Sequence, residues 1–97
     1  MERAFYVYIL TNKPNGILYV GMTNDLSRRL FEHQQEVCEG FSKKYGLKRL
    51  VYYEAYSTAQ EAIQAEKRMK KWNRAWKVRR ILAVNPEWSD LAGALIN

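Results

Sequence analysis

Ninety-seven residues, 47 % of them hydrophobic and 13 % aromatic, describe one folded domain over 1–97 and exclude a disordered chain. No apolar run approaches the roughly 20 residues of a membrane span, and Met1-Glu2-Arg3 opens no signal peptide, so a cytoplasmic protein without membrane contact is expected. The net charge of +6 is concentrated, with seven Lys and Arg between Arg68 and Arg80 and no acid among them; that stripe suits a polyanion, most simply nucleic acid. Cys38 is the single cysteine, which excludes an internal disulfide and a thiolate metal site and leaves an ordinary semi-buried thiol.

The first elements are two strands, Tyr6–Leu10 and Ile17–Val20, rich in residues that fit a pleated, half-buried surface. Asn12-Lys13-Pro14-Asn15-Gly16 between them is turn chemistry, with Pro14 fixing φ and Asn15-Gly16 tolerating positive φ. Alternation puts Val7 and Ile9 on one face and Tyr6, Tyr8 and Leu10 on the other; Leu18 and Val20 likewise oppose Ile17 and Tyr19. If the aliphatic faces meet one core, Tyr8 and Tyr19 stand together on the opposite side of a rigid hairpin. Thr23-Asn24-Asp25 then reads as a helix start, with Thr23 as the cap and a carboxylate in the first turn. A helix over Asp25–Val37 directs Leu26, Leu30 and Val37 to the core and puts Arg29 and His33 on a neighbouring face. Glu39 to Gly46 breaks it, around a short helical turn.

Lys48–Tyr56 reads as a third strand, with Leu50, Tyr52 and Glu54 alternating against Val51, Tyr53 and Ala55. Ser57-Thr58 before Gln60-Glu61 offers a capping box in either of two frames, opening a helix that runs to Trp72 or Asn73. Ala59, Ala62, Ile63 and Met69 form its apolar stripe. Glu66 falls within that stripe, where a carboxylate is costly without a cation or donors beside it; an ion pair with Arg29 or a nearby Lys is one solution, a metal ion another. A basic helix, Arg74–Val84, carries Trp76, Val78, Ile81 and Leu82 and ends at Asn85-Pro86. Beyond it Trp88 and Leu91 are expected to pack back on the domain. Trp72 and Trp76, interleaved with the cations, suit either stacking on bases or a packed seam, and packing is favoured for at least one.

Tyr6-Val7-Tyr8 followed by Tyr19-Val20-Gly21, with Thr23, Asp25-Leu26, Arg28-Arg29, Glu32-His33 and later Ala65-Glu66-Lys67, resembles the paired signature of the GIY-YIG nuclease superfamily. Its small stand-alone bacterial members are the nearest match, and the likeness spans most of the chain. Tyr6 departs from the pattern, standing where Gly is usual. The resemblance implies an α+β fold, a small three-stranded, largely antiparallel sheet flanked by helices, which agrees with the element pattern. It also implies a metal-dependent nuclease hydrolysing phosphodiester bonds.

Such a reaction needs an activated water, a Lewis acid on the phosphate, charge stabilisation and protonation of the leaving oxygen. Glu66 matches the family's metal carboxylate and would hold one divalent ion, Mg²⁺ or Mn²⁺, with water in the remaining positions. Arg29 would clamp a phosphate oxygen. Tyr8 or Tyr19 would take the proton from the attacking water, which for a phenol near pKa 10 requires help from the metal or Arg29. His33 would position water or shuttle a proton. Arg28, Lys70, Lys71, Arg74 and Lys77 are the expected nucleic-acid contacts. With no separate recognition domain, preference for nucleic-acid structure rather than sequence is expected, or specificity from a protein partner; DNA repair is a fitting setting. DNA is the first expectation for substrate, with RNA left open. The rival readings are a nucleic-acid-binding module without turnover and a protein-interaction domain whose basic face meets an acidic partner.

Overall fold

Alternation along three strands sorts the apolar side chains onto two faces of one sheet, and helices cover both. The computed structural model describes residues 4–35 and 40–93. In chain order it contains β1 (Phe5–Thr11), β2 (Leu18–Thr23), α1 (Leu26–Gln34), α2 (Phe41–Lys44), β3 (Arg49–Tyr56), α3 (Ala59–Lys71) and α4 (Arg74–Val84). The sheet order is β2-β1-β3, and β1 pairs antiparallel with both neighbours. Among the described residues no helix is long and apolar enough to cross a membrane.

The β1–β2 turn closes as its residues dictate. Asn15 adopts φ 58°, Gly16 N donates to Lys13 O at 2.9 Å, and Ile17 N donates to Asn12 Oδ1 at 3.0 Å. Arg74 Nη2 donates to Asn15 O at 2.8 Å, tying this turn to the start of α4.

On one face Val7, Ile9 and Val20 pack with Val51, Tyr52, Ala62, Ala65, Met69, Ile81 and Trp88, so α3 and α4 lie there. On the other, Tyr8 and Leu10 pack with Leu26, Leu30, Leu47 and Leu50 beneath α1. The expected alternation of β3 fails at one point. The β1–β3 register shifts between Ile9 and Leu10, so Tyr52 pairs with Ile9 and Leu50 with Leu10. Val51 is the extra residue of a β-bulge. Leu50 consequently joins the Tyr8 cluster while Val51 and Tyr52 share the other.

The helices differ from the sequence reading at the α1 cap and in the α3 stripe, and α3 adopts one of the two capping frames that the sequence offers. Asp25, not Thr23, caps α1: its side chain accepts from Arg28 N at 3.1 Å, and Thr23 Oγ1 instead accepts from Asp25 N at 3.0 Å. α1 is described to Gln34; Val37 and Cys38 lie outside the described residues. α3 uses the second capping frame, with Thr58 Oγ1 accepting from Glu61 N at 3.2 Å and donating to Glu61 Oε1 at 2.9 Å. Its buried stripe is Ala62, Ala65 and Met69, and Ile63 is 39 % exposed. Ile63 lies one position to the side of the seam that the sheet selects. α4 ends at Asn85 as expected, with Trp88 buried behind it.

Candidate nucleic-acid cleavage site

The site begins with strand register. Tyr8 on β1 lies opposite Gly21 on β2, and Leu10 opposite Tyr19. Cross-strand partners share a face, and so do residues two apart. Tyr8, Gly21 and Tyr19 are therefore neighbours on the α1 side of the sheet. The two phenol rings lie 6.4 Å apart. Gly21 is what lets them close up: a Cβ there would fall 2.5 Å from the Tyr8 hydroxyl oxygen and 3.0 Å from Tyr19 Cε1.

α1 brings the third ring. Leu26 and Leu30 anchor the helix to the sheet, and His33 follows on the same buried side. Its ring centre is 5.9 Å from that of Tyr8 and 5.7 Å from that of Tyr19. His33 Nε2 is 3.1 Å from the Tyr8 hydroxyl, and Nδ1 is 2.9 Å from Ser42 Oγ. A chain Ser42–His33–Tyr8 thus runs from α2 through the helix into the strand, all three side chains buried. Burial holds His33 below its ordinary value of 6.5, the Arg29 charge pushes the same way, and Glu32 opposes them. The imidazole is accordingly kept neutral, with one ring nitrogen able to accept.

Tyr8 is 1 % exposed, whereas Tyr19 is half-buried. Outward from Tyr19 the Phe41 ring is stacked at 6.5 Å, and Phe41 meets Tyr45 at 4.7 Å. Phe41 and Tyr45 are both exposed, so α2 forms an aromatic lip beside the phenols. Sequence alone does not single out Ser42 and Phe41, because the stretch reads only as a break around a short helical turn until the fold places it against His33.

The remaining expected site residues are distributed as follows. Arg29 is on α1 one turn before His33, its Nε 3.6 Å from Glu32 Oε1. Glu66 is not sunk in the apolar stripe: its side chain is 23 % exposed, and Oε1 lies 3.6 Å from Lys70 Nζ. The ion pair anticipated with Arg29 or a lysine is thus made with Lys70. α3 lies on the opposite face from the phenols, so Glu66 belongs to a different layer. The layers meet at β2, which carries Tyr19 on one face and packs against α3 with the other. Arg28, Lys71 and Arg74 are exposed and Lys77 is half-buried; Arg74 is also the tie to the hairpin turn. Asn73 caps α4 by accepting from Trp76 N at 3.0 Å. Tyr6, at the position usually Gly, sits edge-on to Tyr53 at 6.5 Å.

The donor chemistry suits a hard divalent ion bound through few protein ligands. A single solvent-reached carboxylate, with only a surface lysine to displace, fits a cation that keeps most of its water. Among the described residues no three His, Cys, Asp or Glu side chains gather into a fully protein-ligated site.

Comparison with known proteins agrees with this fold. The model of the GIY-YIG catalytic domain matches residues 4–79. A UPF0213 protein of Bacillus pumilus is 34 % identical over 77 residues, 79 % of each chain. One of Bacillus licheniformis is 40 % identical over 82 residues, covering 80 % of this chain and 79 % of its relative. The solution NMR structure of a UPF0213 protein from Bacillus halodurans superposes with a TM-score of 0.58 at 29 % identity, covering 90 % of this chain and 92 % of the other. Membership of this family implies nuclease chemistry and nucleic-acid binding in general, and its nucleases generally use a divalent metal. The chain, with its paired phenols, hairpin glycine and antiparallel β2-β1-β3 sheet, belongs to the GIY-YIG family, among the small bacterial UPF0213 proteins.

Proposed function

We propose that the protein is a Mg²⁺- or Mn²⁺-dependent endonuclease acting on DNA in the cytoplasm, selecting nucleic-acid structure over sequence, with DNA repair as its setting. The observation that carries this reading is the Tyr8–Tyr19–His33 cluster, in which a buried phenol is hydrogen-bonded to a neutral imidazole. A second, half-buried phenol stands beside it.

Tyr19, the accessible phenol, is the group assigned to meet the attacking water and take its proton. Tyr8 is held through its hydroxyl by His33 Nε2, and Ser42 fixes the imidazole from the far side. Arg29 offers a fork of donors to a non-bridging phosphate oxygen, neutralising charge that grows in the transition state. Glu66 is the carboxylate that would hold the ion. When bound, the ion supplies Lewis acidity at the phosphate and makes a phenol's task feasible near neutral pH.

The test is cleavage of labelled branched, single-stranded and duplex DNA, and of RNA, with Mg²⁺, Mn²⁺ or EDTA. Cleavage is expected with metal and absent in EDTA. Tyr19→Phe and Glu66→Ala should each lower the rate by at least roughly 100-fold, the scale of losing a positioned catalytic group, with binding retained. Intact binding without cleavage in the unaltered protein supports instead a nucleic-acid-binding module, a reading favoured by the Lys70 pairing of Glu66.

A further inference from the structure

The outward surface of α3 and α4 contains a second feature, remote from the phenols. Gln64, Lys67, Arg68, Lys71 and Trp72 line a cleft of about 430 Å³ along α3. Trp72, Trp76, Arg79, Arg80 and Ala83 line another of about 280 Å³ along α4. Trp72 is common to both, so the two adjoin as one bent furrow; neither lining includes an acid, and Glu54 stands beyond Arg80 and Ala83 in a neighbouring cleft of about 220 Å³.

The two indoles in it differ. Trp72 is half-buried and packs on the core beneath the sheet. Trp76 leans on it with ring centres 6.1 Å apart and is 55 % exposed. Leaving so large an apolar ring in water has no packing return, while a fixed neighbour keeps it from collapsing onto the surface. Arg80 is engaged at one wall, its Nε donating to the Tyr52 hydroxyl at 3.2 Å and its Nη2 3.3 Å from Glu54 Oε2. Lys67, Arg68, Lys71 and Arg79 flank the remainder of the furrow.

An aromatic face set between cations on a concave surface fits one class of ligand well. We infer that this furrow binds a single strand of nucleic acid, a base stacking on Trp76 and the phosphates following Lys67, Arg68, Lys71 and Arg79. A duplex keeps its bases stacked on one another and offers no free π-face, so charge alone would not explain the indole. An acidic protein segment would satisfy the cations and leave the ring uncovered. The inference is independent of turnover, since the furrow lies on the α3–α4 side of the sheet and the phenols on the α1 side.

The test is a fluorescence titration of the full chain in EDTA with short oligo-dT and oligo-U strands, a duplex, and polyglutamate. Both single strands should quench tryptophan emission saturably. Affinity should fall with salt on a log–log slope of about −2 to −3, from about −0.7 per phosphate contact. Trp76→Ala should weaken binding roughly tenfold and remove most of the quench, with Trp76→Phe recovering part of the affinity. Lys67→Glu combined with Arg79→Glu should weaken it further and flatten the salt slope. Tyr8→Phe, on the opposite face of the sheet, should leave it unchanged, which separates failure of this inference from failure of the nuclease reading. Unaltered affinity in Trp76→Ala and in the charge reversals would overturn the proposal. So would equal binding of the duplex, and polyglutamate binding as tightly would reassign the surface to an acidic protein.

Discussion

Gly21 shows how a short motif is written in sterics as much as in chemistry. Its α-hydrogen faces the Tyr8 hydroxyl, and any side chain would occupy that space. Gly21→Ala is expected to cost about 1–3 kcal/mol, the usual range for overpacking a closed site, and to displace Tyr8 from His33. In a Tyr8→Leu background the same substitution should cost less, which a chemical-denaturation cycle would measure. His33 carries a second expectation. Its folded-state value lies below 6.5, first through burial and then through Arg29. Just below pH 6.5 the unfolded chain therefore binds more protons than the folded one, and stability falls as pH drops through that window. The thermal midpoint should decline on acidification from about pH 6.5, and His33→Gln should flatten the decline; an unchanged slope would place the acid sensitivity elsewhere.

Among elements, β3 is where the sequence is least legible. Its boundaries follow from composition, but the bulge at Val51 depends on a partner strand that no local pattern reveals. Asn85 explains how the bulge is tolerated. Val51 has no partner on β1 in the strand register, yet its carbonyl accepts from Asn85 Nδ2 at 3.1 Å. The same amide donates to Ser89 O at 2.9 Å and its oxygen accepts from Ser89 N at 3.0 Å. Asn85→Ala would strip these buried groups of partners and should cost about 1–3 kcal/mol in urea unfolding. Little change would mean that water substitutes for the amide. A neighbouring network joins β3 to α4: Tyr52 donates to Glu54 Oε2, and burial with that bond pushes the Tyr52 phenol up to about 12. The hairpin, the α3 cap and the phenol pairing are legible because each rests on near neighbours in the chain, whereas the α1 cap falls two residues beyond the Thr23 that the sequence suggests. Ile63 was misread as core because a three-and-four stripe fits two adjacent helix faces, and only the sheet chooses between them. Ser42 escaped notice because its role arises solely from contact with His33.

At the scale of the whole molecule, the sheet separates two surfaces of different character. The phenol cluster and its aromatic lip occupy one side, and the cationic furrow occupies the other. Two such surfaces can engage one substrate only if it turns a corner around the domain, so a flap or fork should be cut faster than a continuous duplex of equal length. Comparable rates on both, measured at the same salt, would argue that the furrow takes no part in selection. The β2-β1-β3 order has one more consequence. Of the three strands, the one synthesised first ends in the middle, and β3, one of its two outer neighbours, is synthesised last. Until Tyr56 has emerged, the nascent chain can offer at most a two-stranded ribbon, which is marginal in water. Shortening the chain from its start through Thr11 would remove the seam of the sheet rather than trim its border.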